Sequence, residues 1–241
     1  MRLKMTKSNK EQERLLNMLK ENKISADEHK LLLSVIHKKP SRLGQVCWFL
    51  INPFQKIAGI YALVIGLFVI FSTSYFEVIA KCYAIGIMGV LNASVFKAPK
   101  IQPNFFLLAY QNLVGWLILA VLFIICAKIF NQKRLRLLDF FGTVALARFP
   151  LLILAIFLSI VRVVNPSFMD VDIEKGLQFD LSMMKSIFGF IVALCVIWEI
   201  ATYFHALKES SGLIGKKLWG SFIGAIILGE TIAGPLTMIF F

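Results

Sequence analysis

Residues 140–161 read FFGTVALARFPLLILAIFLSIV, an apolar run with one charged residue in it, Arg148. As a helix rising 1.5 Å per residue it is long enough to cross the roughly 30 Å hydrocarbon layer of a bilayer. A guanidinium at mid-bilayer depth costs at least about 2.5 kcal/mol, so Arg148 requires a polar partner or a wet cavity. Pro150, two residues later, has no backbone N–H, and it marks a place where the helix can break. A second charge, Glu199, interrupts another apolar run, 187–205.

Composition generalises this reading to the whole chain. Of 241 residues, 58% are hydrophobic, 22 are Phe and only 17% are charged. A soluble domain cannot hide that much apolar surface. The net charge of +12 would suggest nucleic acid in a soluble protein. In a polytopic membrane protein it indicates Lys and Arg held on the cytosolic side against anionic headgroups, so the expected partner is the lipid bilayer and not nucleic acid. Cys47, Cys82, Cys126 and Cys195 show no CxxC spacing and no accompanying His cluster, and they read as small hydrophobes, with no metal or cofactor implied.

Five segments are long enough to span: 57–76, 105–127, 140–161, 187–205 and 218–241. The stretch 82–96 is short, is interrupted by Gly86, Gly89 and Asn92, and is bounded by Lys81 and Lys97. Charge decides against counting it. With five spans and the N-terminus inside, the loop carrying Lys128, Lys133, Arg134 and Arg136 and the loop carrying Lys208, Lys216 and Lys217 are both cytosolic. The loop with Asp170, Asp172, Glu174 and Asp180 is then outside, as the positive-inside rule requires. A sixth span would export both basic loops. Residues 80–104 are therefore expected to form an external loop or a shallow re-entrant segment, and the C-terminus lies outside.

Ahead of the spans, residues 1–56 carry twelve Lys or Arg against five Asp or Glu. No short apolar core with a small-residue cleavage site occurs there, so no cleavable leader is expected. Leu15, Leu16, Met18 and Leu19 share one helical face; Ser25-Ala26-Asp27-Glu28 forms a capping box for a second helix carrying Leu31, Leu32, Val35 and Ile36. Residues 1–40 thus read as a basic cytosolic hairpin. Its core is too small to stand alone, and it should pair with a copy of itself, a cytosolic protein or the membrane surface. Residues 41–56, with Trp48, Phe49, Leu50, Ile51 and Phe54 near Lys56, form an interfacial linker in which Pro53 prevents a continuous helix into the first span.

Helix rise places Arg148 about 15 Å and Glu199 about 11 Å from the cytosolic side. This near-match predicts that an Arg148 to Glu199 bond locks the third and fourth spans. Glu230, about 20 Å into the fifth span, is the second candidate acid. Glu199, Thr202 and His205 recur at i, i+3 and i+6 and could line a vestibule for a proton or ion relay; the alternative is that the polar set only orients helices. Pro150 and Pro235 are the two candidate helix breaks. Gly220 and Gly224 form a GxxxG in the fifth span, continued by Ala225, Gly229 and Gly234. It is expected to pack inside the bundle, with a homodimer face as the alternative. HExxH, GxSxG and CxxC are missing, and Gly215-Lys216-Lys217 lacks the remainder of a phosphate loop. An intramembrane enzyme would need a nucleophile beside a base, and none can be named. Asn92-Ala93-Ser94 is a formal glycosylation acceptor, meaningful only in a secretory-pathway host.

Several stretches resemble the Yip family, the Ypt/Rab-interacting membrane proteins and their bacterial relatives. They are Asn52-Pro53-Phe54 before the first span, the run from Asp139 to Pro150 opening the third, and Trp198 to Gly212 closing the fourth, with His205-Ala206-Leu207-Lys208 and Ser210-Ser211-Gly212 at the turn. The resemblance covers roughly residues 50–240. The stretch from Lys20 to Glu28 is similar to the SHOCT-like helical modules of bacterial membrane proteins. The resemblance implies a five-span, non-enzymatic protein of the bacterial plasma membrane. Its eukaryotic counterparts bind prenylated small GTPases, a partner that a bacterial chain would lack. The fold expected is therefore an all-α polytopic bundle of five spans over residues 57–241, preceded by the cytosolic hairpin. The function expected is a membrane scaffold or adaptor, with a small ion or solute transporter as the alternative.

Overall fold

A computed structural model describes residues 16–18, 21, 25, 28, 42–81, 104–130, 135–165 and 183–238. The chain divides into two compact units, 1–50 and 51–241. In the first, the capping box is formed as expected: the Ser25 backbone N–H donates to Glu28 Oε2 at 2.8 Å, and the Glu28 N–H donates to Ser25 Oγ at 3.2 Å. The Glu28 carboxyl is held below its ordinary range, first by the Ser25 backbone N–H and then by the Ser25 hydroxyl. Most of the hairpin expected over 1–40 lies outside the described residues. Helix α1, Arg42–Ile51, leaves Leu43, Val46, Trp48 and Leu50 exposed.

The second unit is all helical among the described residues. A 3-10 turn over Pro53–Gln55 precedes α2, Gly59–Ala80, so Pro53 does interrupt the path into the first span. Then come α3, Phe105–Ile129, capped by the Asn104 side chain accepting from the Leu107 N–H at 2.9 Å, α4, Leu137–Leu146, and α5, Phe149–Val164. Helices α6, Met183–Ser211, and α7, Gly215–Met238, complete the bundle. Counting α4 and α5 together as one span, five helices are long and apolar enough to cross a membrane. This is the integral membrane architecture anticipated from the sequence. Residues 82–103, over which a loop, a re-entrant segment or a sixth span was at issue, lie outside the described residues.

Helix α2 packs most extensively on α4 and α5, while α7 is attached mainly through α3. In lipid the helices gain nothing from hiding apolar surface, because the tails are as apolar as Leu, so close packing and polar contacts must hold them. The close packing lies at two glycines. A Cβ on Gly66 would stand 2.5 Å from Ala145 Cβ and 2.6 Å from the Leu146 backbone N; a Cβ on Gly142 would stand 2.7 Å from Gly59 O. Only hydrogen side chains permit this crossing of α2 over α4. The GxxxG expected to pack inside the bundle does not. A Cβ on Gly220 or Gly224 would meet nothing within 4 Å, and Gly220 is exposed. The pattern records small residues four apart but not the direction in which they face: Gly220 and Gly224 meet open space, while Ala225 and Gly229, which continue the pattern, are buried, and a Cβ on Gly229 would stand 3.6 Å from Leu122 Cδ1 of α3.

Candidate functional site: a buried polar network at a helix break

The third span is broken at Arg148. Pro150 cannot donate to the Leu146 carbonyl, so α4 ends at Leu146 and α5 restarts at Phe149 with Pro150 in its first turn. Across the gap the Arg148 N–H reaches Ala145 O at 3.3 Å, and the Leu151 N–H takes Arg148 O at 2.9 Å. That tightened path leaves the Ala147 carbonyl available, and the Thr202 hydroxyl of α6 donates to it at 2.8 Å. A backbone acceptor freed at membrane depth is thus satisfied by a neighbouring span, the usual condition for a tolerated break. Pro235, the other candidate, lies within a helix that continues past it.

The hydrogen bonds of the Arg148 guanidinium go to Asn112. Its Nη1 donates to the backbone carbonyl of Asn112 at 2.9 Å and its Nη2 to Asn112 Oδ1 at 2.6 Å. The matched depths of Arg148 and Glu199 fix height only; the position of each residue around its helix turns Arg148 toward α3. The same Asn112 amide donates through Nδ2 to Glu77 Oε2 at 2.8 Å and to Ser74 Oγ at 3.0 Å, both on α2. Asn112 therefore stands between a guanidinium and a carboxyl, with its oxygen toward one and its nitrogen toward the other. That order fixes its orientation and lets each bond polarise the other. Glu77, Ser74, Asn112 and Arg148 are all buried, Glu77 completely at 0% exposure.

On the other side of Arg148 lie the acids that the sequence singled out. Glu199 is buried on α6, one turn before the buried Tyr203. Glu230, partly buried on α7, is within electrostatic reach of both Glu199 and Arg148. Its Oε2 is buried and accepts no hydrogen bond from the described residues. Away from the helix ends, Arg148 is the only Lys or Arg among the described spans, with Glu77 on the far side of the Asn112 amide. Arg148, Glu199, Glu230 and Thr202 are thus gathered at one level. His205 is not part of that contact; it is half-buried one turn further on, edge-on to Phe204 at 5.8 Å. Of the i, i+3, i+6 series, the Thr202 hydroxyl lies 2.8 Å from both the Ala147 carbonyl at the break and the Glu199 carbonyl of its own helix. No group of three or more metal-ligating side chains occurs among the described residues.

Sequence reasoning missed Glu77, Ser74 and Asn112. The span expected over 57–76 stops one residue before Glu77, whereas α2 runs on to Ala80. The available signal was the spacing of Thr73, Ser74 and Glu77 on one helical face, opposite the amide pair Gln111-Asn112 in the second span. A further clamp lies at the other end of α2. Asn52 Nδ2 donates to Glu209 Oε1 at 2.9 Å and Gln55 Nε2 to the same oxygen at 3.4 Å, while Phe54 enters the core. The Asn52-Pro53-Phe54 stretch is thereby tied to the C-terminal end of α6.

No family model matches this chain, and neither a curated protein nor a solved structure does so.

Proposed function

We propose that the chain is a non-catalytic membrane scaffold or adaptor of the Yip type, held in a bacterial plasma membrane with its N-terminus in the cytosol and its C-terminus outside. The observation that carries the reading is the Glu77–Asn112–Arg148 chain. Its amide has both kinds of donor and acceptor engaged by the protein's own groups, which suits a fixed frame more than a site that must release and rebind a solute. Residues 1–40, basic and too small for a core of their own, are the segment by which a cytosolic partner would be collected. Affinity capture of the full-length protein from cross-linked membranes, beside a form lacking residues 1–40, tests this. A cytosolic protein should co-purify with the first and not the second, and identical recovery from both would remove the adaptor role.

The broken third span and the unbonded Glu230 Oε2 favour a second reading, a small ion or solute transporter using Arg148, Glu199 and Glu230. Ion flux in proteoliposomes separates the two. Flux above that of empty vesicles, abolished by Glu199→Gln or Glu230→Gln, would establish transport and displace the scaffold.

A further inference from the structure

One end of the bundle is strongly basic. The N-terminus of α2, the C-terminus of α3, the start of α4 and the α6–α7 turn meet there, as the Asn52 to Glu209 bond and the seat of Lys217 Nζ 5.7 Å from the Phe130 ring centroid show. Lys56, Lys128, Arg136, Lys208, Lys216 and Lys217 are all exposed at this end. They face only Asp139 and Glu209 among the described acids, and Glu209 is engaged by Asn52 and Gln55. The opposite end presents Lys81 and Arg162.

Within the basic end the seam between α3 and α7 is the most sharply built. Phe123 packs on Phe222 at 6.4 Å and Cys126 Sγ approaches Ser221 O at 3.8 Å, which brings Lys128 in the last turn of α3 alongside Lys216 and Lys217 in the first turn of α7. Beside these ammonium groups, Ile129 and Ile214 are exposed at 70% and 76%, while Trp219 turns to α6 with its ring 4.6 Å from Phe204. Cations next to exposed aliphatic side chains match the two halves of a phospholipid, a phosphate at headgroup level and acyl chains just beneath. The first-turn N–H groups of α7 add donors of the same sign preference.

We propose that the α3–α7 seam, through Lys128, Lys216 and Lys217, binds the headgroup phosphate of an anionic phospholipid, with Ile129 against its acyl chains. The occupant is a membrane lipid and not a soluble phosphate, because the exposed apolar side chains adjoin the charges. The inference needs only that the helices span a bilayer, and it stands or falls independently of the scaffold and transporter readings.

The test is thermal unfolding of the full-length protein in detergent, titrated with dioleoyl phosphatidylglycerol, dioleoyl phosphatidylcholine or free glycerol 1-phosphate. The anionic lipid should raise the unfolding midpoint and the other two should not. Each lysine removed should raise the concentration needed by roughly fivefold, and Lys128→Gln, Lys216→Gln and Lys217→Gln together by about 100-fold. Lys81→Gln, at the far end, should change nothing. Should the triple variant fail to fold, Lys217→Gln alone carries the expected fivefold shift. An unchanged titration in these variants, or equal stabilisation by phosphatidylcholine, would overturn the proposal; stabilisation by glycerol 1-phosphate at the same concentration would assign the seam to a soluble ligand instead.

Discussion

Replacing Asn112 by Leu keeps roughly the volume of the side chain and deletes its polarity. Three bonds disappear: Arg148 Nη2 to Oδ1 and Nδ2 to Glu77, both to groups that can carry charge, and Nδ2 to Ser74. The Arg148 bond to the Asn112 backbone carbonyl survives, since Leu supplies the same acceptor. Hydrogen bonds to charged groups contribute about 1.5–3 kcal/mol each and a neutral one about 1 kcal/mol, which sets a ceiling of about 7 kcal/mol. Side-chain bonds between spans in lipid average about 0.6 kcal/mol, which sets a floor of about 2 kcal/mol. The upper part of that interval applies here because the partners stay behind: a guanidinium and a carboxyl are left buried without the amide between them, and removing one member of such a set costs about 3–5 kcal/mol. The expected loss is about 3 kcal/mol, or roughly 150-fold in the unfolding equilibrium. Reversible unfolding in mixed micelles with increasing dodecyl sulfate measures it. Asn112→Asp should be equally damaging, since it sets a second carboxyl against Glu77. The exchange Glu77→Gln with Asn112→Asp should recover more than half of that loss, because it returns an acid to Arg148 and an amide to position 77. If Asn112→Leu unfolds with the wild type, or if the exchange is no better than Asn112→Asp alone, the amide is not the keystone argued here.

Three further outcomes follow from other parts of the bundle. Gly142→Val should destabilise by about 1–3 kcal/mol in the same micellar assay because its side chain meets the backbone of α2. Gly220→Val should be nearly neutral there, and a reversal of that order would refute the assignment of the packing face. Thr202→Val leaves the Ala147 carbonyl without its donor at the break and should cost about 1–3 kcal/mol, with Thr202→Ser recovering most of it. In the N-terminal unit, Glu28 has a lowered carboxyl pKa in the folded cap, so its contribution is present above the ordinary carboxylate value and fades as pH falls through the lowered one. The Glu28 side-chain resonance of the full-length protein should titrate below that of the Ser25→Ala variant, and coincident titrations would exclude the cap.

The span count was legible because hydropathy over twenty residues depends on no neighbour. The break at Arg148 was half legible: Pro150 announced it and Pro235 announced one that does not occur, since a proline shows which donor is missing but not whether the helix must stop. Azimuth was not legible at all. Arg148 and Glu199 are both buried, yet a run that is apolar nearly all round carries no amphipathic stripe to say which way either points. The guanidinium's partner, Asn112, therefore escaped notice. The same blindness misdirected the GxxxG, whereas Gly66 and Gly142, each isolated in sequence, gave no pattern to find. Glu77 was lost to a boundary four residues short, the kind of error to which a hydropathy window is prone when the last turn of a span carries a buried acid.

The order of the network along the chain has a consequence for biogenesis. Synthesis delivers Ser74 and Glu77 first, Asn112 next and Arg148 last. Asn112 and Arg148 thus each enter a membrane where a group they will bond has already arrived, and the costliest member, the guanidinium, arrives when its amide acceptor is waiting. Inverting that sequence by circular permutation would oblige Arg148 to cross into lipid unaccompanied, and insertion of the third span, not folding of the finished bundle, would become the step that fails.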